Sequence, residues 1–371
     1  MSSTTGKSFM EENISVSDKI WIYGNGSFAQ RLANSFTTAG IEVLGFFEID
    51  SKFRNESRLN SFDPYVEIFP DQKKWTVVLG IGNAYADLKN ISTRLKNDGY
   101  EVIYPLAALR LLFLKGIEIE NYWMTGDFEI FDRCQDQLEN AYKKLSDERS
   151  RNIFTNILEF RKSGDPFILD DHDPTELSYL PSDVPWISKN EILENVIDAG
   201  SYDGDTLKSF LKAKINIKNW WCFEPDLGNF AKLNQNRVVF DEKIKVTTIP
   251  CALWSKTEIL TFANGGDFGT GSAISKTGTD TVVATSLDEI CNWEVCSLIK
   301  MDIEGAELDA LKGALNTIKK TRPKLAICVY HKPTDLWEIT NYLADNFKDY
   351  NFYLRTYYEQ TFETVLYAVP N

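Results

Sequence analysis

The stretch Val196-Ile-Asp-Ala-Gly-Ser-Tyr-Asp-Gly-Asp-Thr206 constrains this chain more than any other feature. An apolar run delivers Asp198 at what reads as the carboxyl end of a strand. Gly200 and Gly204 then let the backbone turn sharply into a helix while leaving room for a ligand against it. Twenty positions after Gly204 stands Glu224, in Phe223-Glu-Pro-Asp226, at the end of the next apolar run. A carboxylate there can accept both hydroxyls of a ribose. Open α/β sheets bind ligands beyond the carboxyl ends of their strands, near the point where strand order reverses. The turn and the spaced acid together predict a nucleoside site.

The rest of the chain fits a sheet with helices on its faces. In the first ~110 residues, Lys19 to Tyr23, Ile41 to Phe47, Trp75 to Leu79 and Tyr100 to Tyr104 read as strands separated by helix-patterned stretches. Such alternation implies parallel strands with right-handed crossovers. From about Glu118 to Gly164 the pattern turns helical, with Leu138, Ala141, Tyr142 and Leu145 on one face. A Pro- and Asp-rich loop from Asp165 to Pro185 follows. The second half alternates again. Asn195 to Ala199, Trp220 to Phe223, Lys245 to Ile249, Leu298 to Met301 and Leu325 to Tyr330 read as strands, and a helix is expected from about Ala306 to Lys319. Short segments between Leu253 and Leu287 read as a hairpin-like insertion. Asn351 to Leu354 and Thr364 to Ala368 are expected to close the chain as an antiparallel pair. The expected architecture is α/β, with two Rossmann-like domains (1–115 and 191–371) joined by a helical connector and loop (116–190).

Composition narrows the function. With 40 Lys+Arg against 54 Asp+Glu, for a net charge of -14, the chain lacks the basic footprint of a nucleic-acid binder. Its longest apolar run, Leu106 to Leu114, includes Arg110 and falls far short of the ~20 residues needed to cross a bilayer. The first residues, Met1-Ser-Ser-Thr-Thr-Gly-Lys7, have no apolar core, so no secretory signal is read and a soluble, cytoplasmic protein is expected. The six cysteines form no CxxC and mostly fall in apolar runs, as buried reduced thiols do. Only two histidines, His172 and His331, are present, which excludes HExxH proteases and multi-histidine metal sites.

Two further segments converge on the rim defined by Asp198 and Glu224. Leu298-Ile-Lys-Met-Asp-Ile-Glu-Gly-Ala-Glu307 brings Lys300, Asp302 and Glu304 to a strand's carboxyl end, and Val329-Tyr-His-Lys-Pro333 brings His331 to the end of the following one. Acids and a histidine on one rim make a set able to perform acid/base chemistry or bind a metal. Lys300 is open between a structural charge and a catalytic one, and Glu307 is expected to face water from its helix. Trp220, Trp254 and Trp337 could stack on sugars, but core packing is the stronger expectation.

The spacing also separates two kinds of nucleoside ligand. Folds that press a pyrophosphate against the backbone usually carry Gly-x-Gly-x-x-Gly, and here Tyr202 occupies the middle-glycine position. The Asp-x-Gly-x-x-x-Gly order instead matches S-adenosylmethionine (SAM) methyltransferases. The sequence resembles the FkbM family of SAM-dependent methyltransferases through Ile197 to Thr206, Phe223 to Asp226, Thr285-Ser-Leu-Asp-Glu-Ile290, Ile299 to Glu307 with Leu311-Lys-Gly313, and Val329 to Trp337. The likeness covers about residues 190 to 371. It extends more loosely to Leu145-Ser-Asp-Glu-Arg-Ser-Arg151 and Phe160-Arg-Lys-Ser-Gly-Asp165. It implies methylation of a hydroxyl on a sugar, glycan or related metabolite. One departure is Leu354-Arg-Thr356, where the family pattern reads Leu-Arg-His, so substrate contact is not carried over to this strand.

On this reading the cofactor is held by Asp198, Gly200, Ser201, Tyr202, Asp203, Gly204, Thr206, Glu224, Pro225, Asp226, Cys251 and Ala252, and the catalytic set is His331, Asp302, Glu304 and Lys300. His331 or Asp302 is the expected base; alternatively Asp302 binds a divalent ion that lowers the pKa of the hydroxyl.

In the first domain Tyr23-Gly-Asn-Gly-Ser-Phe-Ala29 follows a strand and precedes a helix, and Asp50 ends the next strand's run. Gly24, Gly26 and Asp50 therefore mark a second candidate nucleotide site, similar to the small Rossmann-like domains that precede sugar acyltransferases. NAD, a nucleotide-sugar and a purely structural role all remain open there. Two other functions stay open: an NAD- or nucleotide-sugar-binding enzyme acting through this half, and a non-catalytic module that keeps the fold without turnover.

Overall fold

A computed structural model describes residues 18–47, 75–82, 86–119, 121–169, 171–174, 177–237, 244–263, 273–274, 280–290, 293–358 and 361–371. The chain divides into two compact units: 1–135 with 152–172 and 358–362, and 136–151 with 173–357 and 363–371. The residues expected as a connector are thus shared between the two. No helix among the described residues is long and apolar enough to cross a membrane.

The first unit is built on a four-stranded parallel sheet in the order β2-β1-β3-β4 (Lys19–Tyr23, Glu42–Phe47, Thr76–Leu79 and Glu101–Ile103 for β1 to β4). Helix α1 (Ser27–Thr38) buries Phe28, Ala29, Leu32, Ala33 and Phe36, one face of a 3.6-residue repeat. It lies so close to the sheet that a Cβ on Gly80 would fall 2.8 Å from the Ala29 Cβ. Helix α2 (Leu88–Asn97) is capped by Asp87, whose side chain accepts from the Asn90 N–H. The apolar run at Leu106 becomes helix α3 (Pro105–Leu114), opened by a proline at its first position. The helix-patterned stretch gives α4 (Ile130–Arg133) in this unit, α5 (Gln135–Lys144) almost wholly in the second, and α6 (Glu148–Ser163), whose residues are divided between the two.

The second unit contains a seven-stranded sheet in the order β14-β15-β13-β12-β5-β6-β7. In chain order these are β5 (Ile192–Ala199), β6 (Asn216–Phe223), β7 (Lys245–Ile249), β12 (Leu298–Met301), β13 (Lys324–Cys328), β14 (Tyr350–Thr356) and β15 (Thr364–Pro370). Every pairing is parallel except those of β15, which runs antiparallel to both β13 and β14. The order reverses at β5, with β6 on one side and β12 on the other, so the rim beyond β5, β6 and β12 is where a ligand is expected. Helix α7 (Asp205–Lys212) follows β5 and α8 (Leu227–Asn236) follows β6.

The insertion between Leu253 and Leu287 forms a separate small sheet, β10-β9-β11-β8, from β8 (Ala252–Leu253), β9 (Glu258–Ala263), β10 (Ala273–Ile274) and β11 (Asp280–Thr285), followed by α9 (Leu287–Ile290). One expectation is corrected. The single helix from Ala306 to Lys319 is two, α10 (Glu307–Lys312) and α11 (Leu315–Thr321), broken at Gly313. A Cβ at Gly313 would sit 2.1 Å from the Trp254 carbonyl oxygen, so the break lets the chain pass against that backbone. Helix α12 (Asp335–Asn346) connects β13 to β14. Trp220 and Trp337 are fully buried, and Cys222, Cys251, Cys296 and Cys328 are buried free thiols; Cys291 lies outside the described residues.

Candidate active site

Strand β5 places Asp198 between two partners, paired in register with Lys300 of β12 and with Cys222 of β6. The Asp198 carboxylate is fully buried. It meets Lys300 Nζ at 3.1 Å and accepts from the Trp220 indole N–H at 3.2 Å. Lys300 donates onward to the carbonyls of Ala199 (3.3 Å) and Gly200 (2.6 Å). Burial alone would lower the Lys300 pKa, but Asp198, Asp302 and Asp205 together hold it above its ordinary value. Asp198 and Lys300 therefore lie beneath the glycine turn and fix its shape from below.

Above them the turn is forced by close contact. Gly200 has φ +72°, and a Cβ there would lie 1.8 Å from the Asp302 carbonyl oxygen, so no other residue fits. Ser201 Oγ donates to the Asp198 carbonyl, and its own N–H and that of Gly200 donate to the Phe223 carbonyl. Tyr202 takes a left-handed φ of 46°. Its N–H then donates to Glu224 Oε2 at 2.9 Å, while the Asp226 N–H donates to Oε1 at 2.9 Å. Glu224 is thus aimed by two backbone amides, although burial pushes its pKa up to about 7. Asp226 caps α8 by accepting from the Asn229 N–H, and Pro225 sits between the two acids. Gly204, at φ 88°, opens α7, whose first turn holds buried Thr206. Asp203 bridges α7 to α8, meeting Lys208 at 3.0 Å and the Asn236 amide. Cys251 and Ala252 are buried just beyond β7.

The second cluster lies at the ends of β12 and β13. Asp302 is 23% exposed, and its two oxygens receive three donors. Tyr179 OH donates to Oδ2 at 2.9 Å, Tyr330 OH reaches Oδ1 at 3.2 Å, and His331 Nε2 lies 3.3 Å from Oδ1. His331 is only 1% exposed and presents its other nitrogen, Nδ1, to Glu307 Oε1 at 2.9 Å; Glu304 Oε2 lies 3.7 Å from Nε2. Burial would lower the His331 pKa, but Glu307, Glu304 and Asp302 raise it well above the usual value, which favours the imidazolium form. In return Asp302, which burial alone would push up, is held well below the carboxylate range by His331 and Lys300.

Glu307 does not face water, as expected from its helix. It is fully buried, since α10 begins at this residue and turns it toward His331, and its Oε1 also accepts from the Ile303 N–H. Asp302, Glu307 and His331 have ligand-capable atoms within 4.8 Å of one another. They nonetheless do not suit a divalent ion, because both ring nitrogens of His331 face carboxylates, Nδ1 toward Glu307 and Nε2 toward Asp302, and neither is directed at an open coordination position.

The expected cofactor and catalytic residues of the second unit thus gather at one rim, with Lys300 and Asp198 one layer below it. Tyr330 lies inside a recognised motif, next to His331, without having been singled out, whereas Glu307 was expected to face water. Tyr179 and Glu363 carry no local signal, since each arrives from a distant loop. Both have left-handed φ, 63° and 50°; with Tyr202 and Glu304 (55°), four of the eight described non-glycine residues in that region stand at this rim. In the first unit Gly24 (φ +103°) ends β1 and Gly26 caps α1 without a side-chain bond, whereas Asp50 lies outside the described residues.

Residues 198–357 match the model of the methyltransferase FkbM domain. The crystal structure of a methyltransferase FkbM from Methylobacillus flagellatus KT is similar over 97% of this chain and 92% of that one, with a TM-score of 0.75 at 22% identity, a likeness of fold. A putative methyltransferase from Thermoplasma acidophilum matches at 7% identity over 48% of this chain and 68% of that one, with a TM-score of 0.28, too distant to bear on fold or chemistry. Among curated proteins there is no significant match. The glycine turn and both acid clusters fall inside the matched residues, so this part of the chain is similar to the methyltransferase FkbM domain.

Proposed function

We propose that the protein moves a methyl group from SAM to a hydroxyl of a sugar, glycan or related metabolite. The observation that carries this reading is the placement of two carboxyl groups on adjoining parts of one rim. Glu224 is aimed by the Tyr202 and Asp226 amides, and Asp302 is partly exposed at the end of β12. Glu224 would accept the ribose hydroxyls of the cofactor, with the turn from Gly200 to Gly204 along its amino-acid portion. Asp302 would take the hydroxyl proton as the oxygen attacks the methyl carbon.

In that transfer the sulfonium charge and the forming negative charge cancel, so holding the two reactants in line matters more than a strong base. An ionised Asp302 within hydrogen-bond reach both orients the hydroxyl and receives its proton. His331 is too deeply buried to meet an acceptor and is a positioning residue here, its imidazolium keeping Asp302 ionised. Lys300 positions the turn. Glu304, 25% exposed beside Asp302, is placed to contact the acceptor.

The test is titration of S-adenosylhomocysteine into the protein and its Glu224→Ala variant, followed by transfer of labelled methyl from SAM to a panel of sugars. Binding lost in the variant, with labelled product sensitive to Asp302→Asn, supports the reading. A folded wild-type protein that binds no S-adenosylhomocysteine would overturn it.

A further inference from the structure

Tyr330 stands between two carboxyl groups. Its hydroxyl lies 3.2 Å from Asp302 Oδ1 and 2.9 Å from Glu363 Oε1. A phenol has one hydrogen, so it can donate to only one of them. Were both carboxyls ionised, one would face the Tyr330 oxygen with lone pair against lone pair, inside a half-buried pocket. The geometry therefore calls for one extra proton, and the partners of each acid decide where it sits. Asp302 has donors on both oxygens, from Tyr179, Tyr330 and His331, as suits a carboxylate. Glu363 meets the Tyr330 hydroxyl and makes no ion pair among the described residues.

We infer that Glu363 is a positioning residue held as a neutral carboxylic acid, which donates to the Tyr330 oxygen and so aims the Tyr330 hydroxyl at Asp302. The hydrogen bonds then run in one direction, from Glu363 to Tyr330 to Asp302, with no change in covalent bonding. The inference rests on the proposed role of Asp302 and adds a residue outside the stretch matched by the family model, which ends at 357.

The surroundings agree. Facing Glu363 are Asp302 and Lys300 from β12 and its end, Cys328, Tyr330 and His331 from β13 and its end, and Tyr179 from the loop before β5. Burial and the Asp302 charge push the Glu363 carboxyl up to about 8, against the pull of Tyr330, His331 and Lys300. Its backbone, at φ 50°, lies in a region that a glutamate enters only when its surroundings impose it.

Infrared difference spectra between wild type and Glu363→Gln, recorded at neutral and alkaline pH, test the protonation state directly. The expected result is a protonated-carboxyl band assigned to Glu363 at pH 7 that disappears as the pH passes about 8; its absence at pH 7 overturns the inference. Should Glu363→Gln not fold, Tyr330→Phe replaces it. Loss of the hydrogen-bond acceptor must then shift the wild-type band, and an unmoved band counts against the arrangement.

Turnover supplies a second readout. In wild type kcat should fall above about pH 8. Glu363→Gln, which still donates but cannot ionise, should remove that alkaline limb, and Glu363→Ala should lower kcat about tenfold to a hundredfold at every pH. An alkaline limb retained in Glu363→Gln refutes the role. A wild type without transferase activity would refute the proposed function instead, leaving the infrared result to stand or fall by itself.

Discussion

Lys300 and Asp198 sit at matched register on neighbouring parallel strands, with Nζ 3.1 Å from Oδ1 and neither side chain more than 3% exposed. Removing one charge would strand the other in the sheet, where an unpaired buried ion costs about 3–5 kcal/mol. Lys300→Met is therefore expected to lower stability by that order and to loosen the turn at Gly200. Thermal unfolding with and without S-adenosylhomocysteine checks both effects. Adding Asp198→Asn should recover part of the loss, and a double variant as unstable as the sum of the singles would deny the coupling.

Two glycines that look alike in sequence should respond in opposite ways. Gly200→Ala must move the Asp302 backbone and also pay for a left-handed φ, a loss of about 2 kcal/mol or more together with cofactor binding. Gly26→Ala meets nothing within 4 Å at φ -76°, and should change stability by less than about 0.5 kcal/mol. Equal effects in denaturant titrations of the two variants would contradict this geometry.

In its proposed role at the ribose, Glu224 would give cofactor binding a pH dependence. Its carboxyl titrates near 7 in the free protein, and ribose hydroxyls donate to the ionised form. Protonation competes with binding, so affinity for S-adenosylhomocysteine should weaken as pH falls through 7, approaching about tenfold per unit, and level off above it. Calorimetry on both sides of pH 7 measures the slope. A slope that persists unchanged in Glu224→Gln would assign it to another group.

Arg355, fully buried, meets Asp147 at 2.7 Å, Asp183 at 2.8 Å and the Ser150 hydroxyl at 3.0 Å. Burial raises both carboxyl pKa values, but Arg355, together with Ser150 at Asp147 and Arg149 at Asp183, outweighs it and holds them below the ordinary 3.8. Depressed carboxyls bind fewer protons folded than unfolded. Their stabilisation is thus full above 3.8 and is lost as pH falls through the lowered values. Acid unfolding should begin at higher pH in Arg355→Met than in wild type, and coincident acid transitions would disprove it.

The carboxy-terminal part of the fold was legible because its signals are local. A strand ending in Asp198, two glycines and an acid at Glu224 use spacing alone to describe a parallel sheet and the rim it binds at. The break at Gly313 was not legible, because the cause is the Trp254 carbonyl some sixty residues earlier in the chain. Glu307 was misread for a related reason. Its place on a helix suggested water, but helix position does not say which side the sheet covers.

The sequence by itself determined which residues share a strand end, since a period of two or 3.6 and a glycine with positive φ are properties of neighbouring residues. Only the tertiary structure decided how their titration is shifted. Whether His331 is an imidazolium, Asp302 a carboxylate or Glu363 an acid depends on burial and on groups brought from β12, β13 and two remote loops. Those interactions act through space at distances of about 3 Å, whatever the separation along the chain.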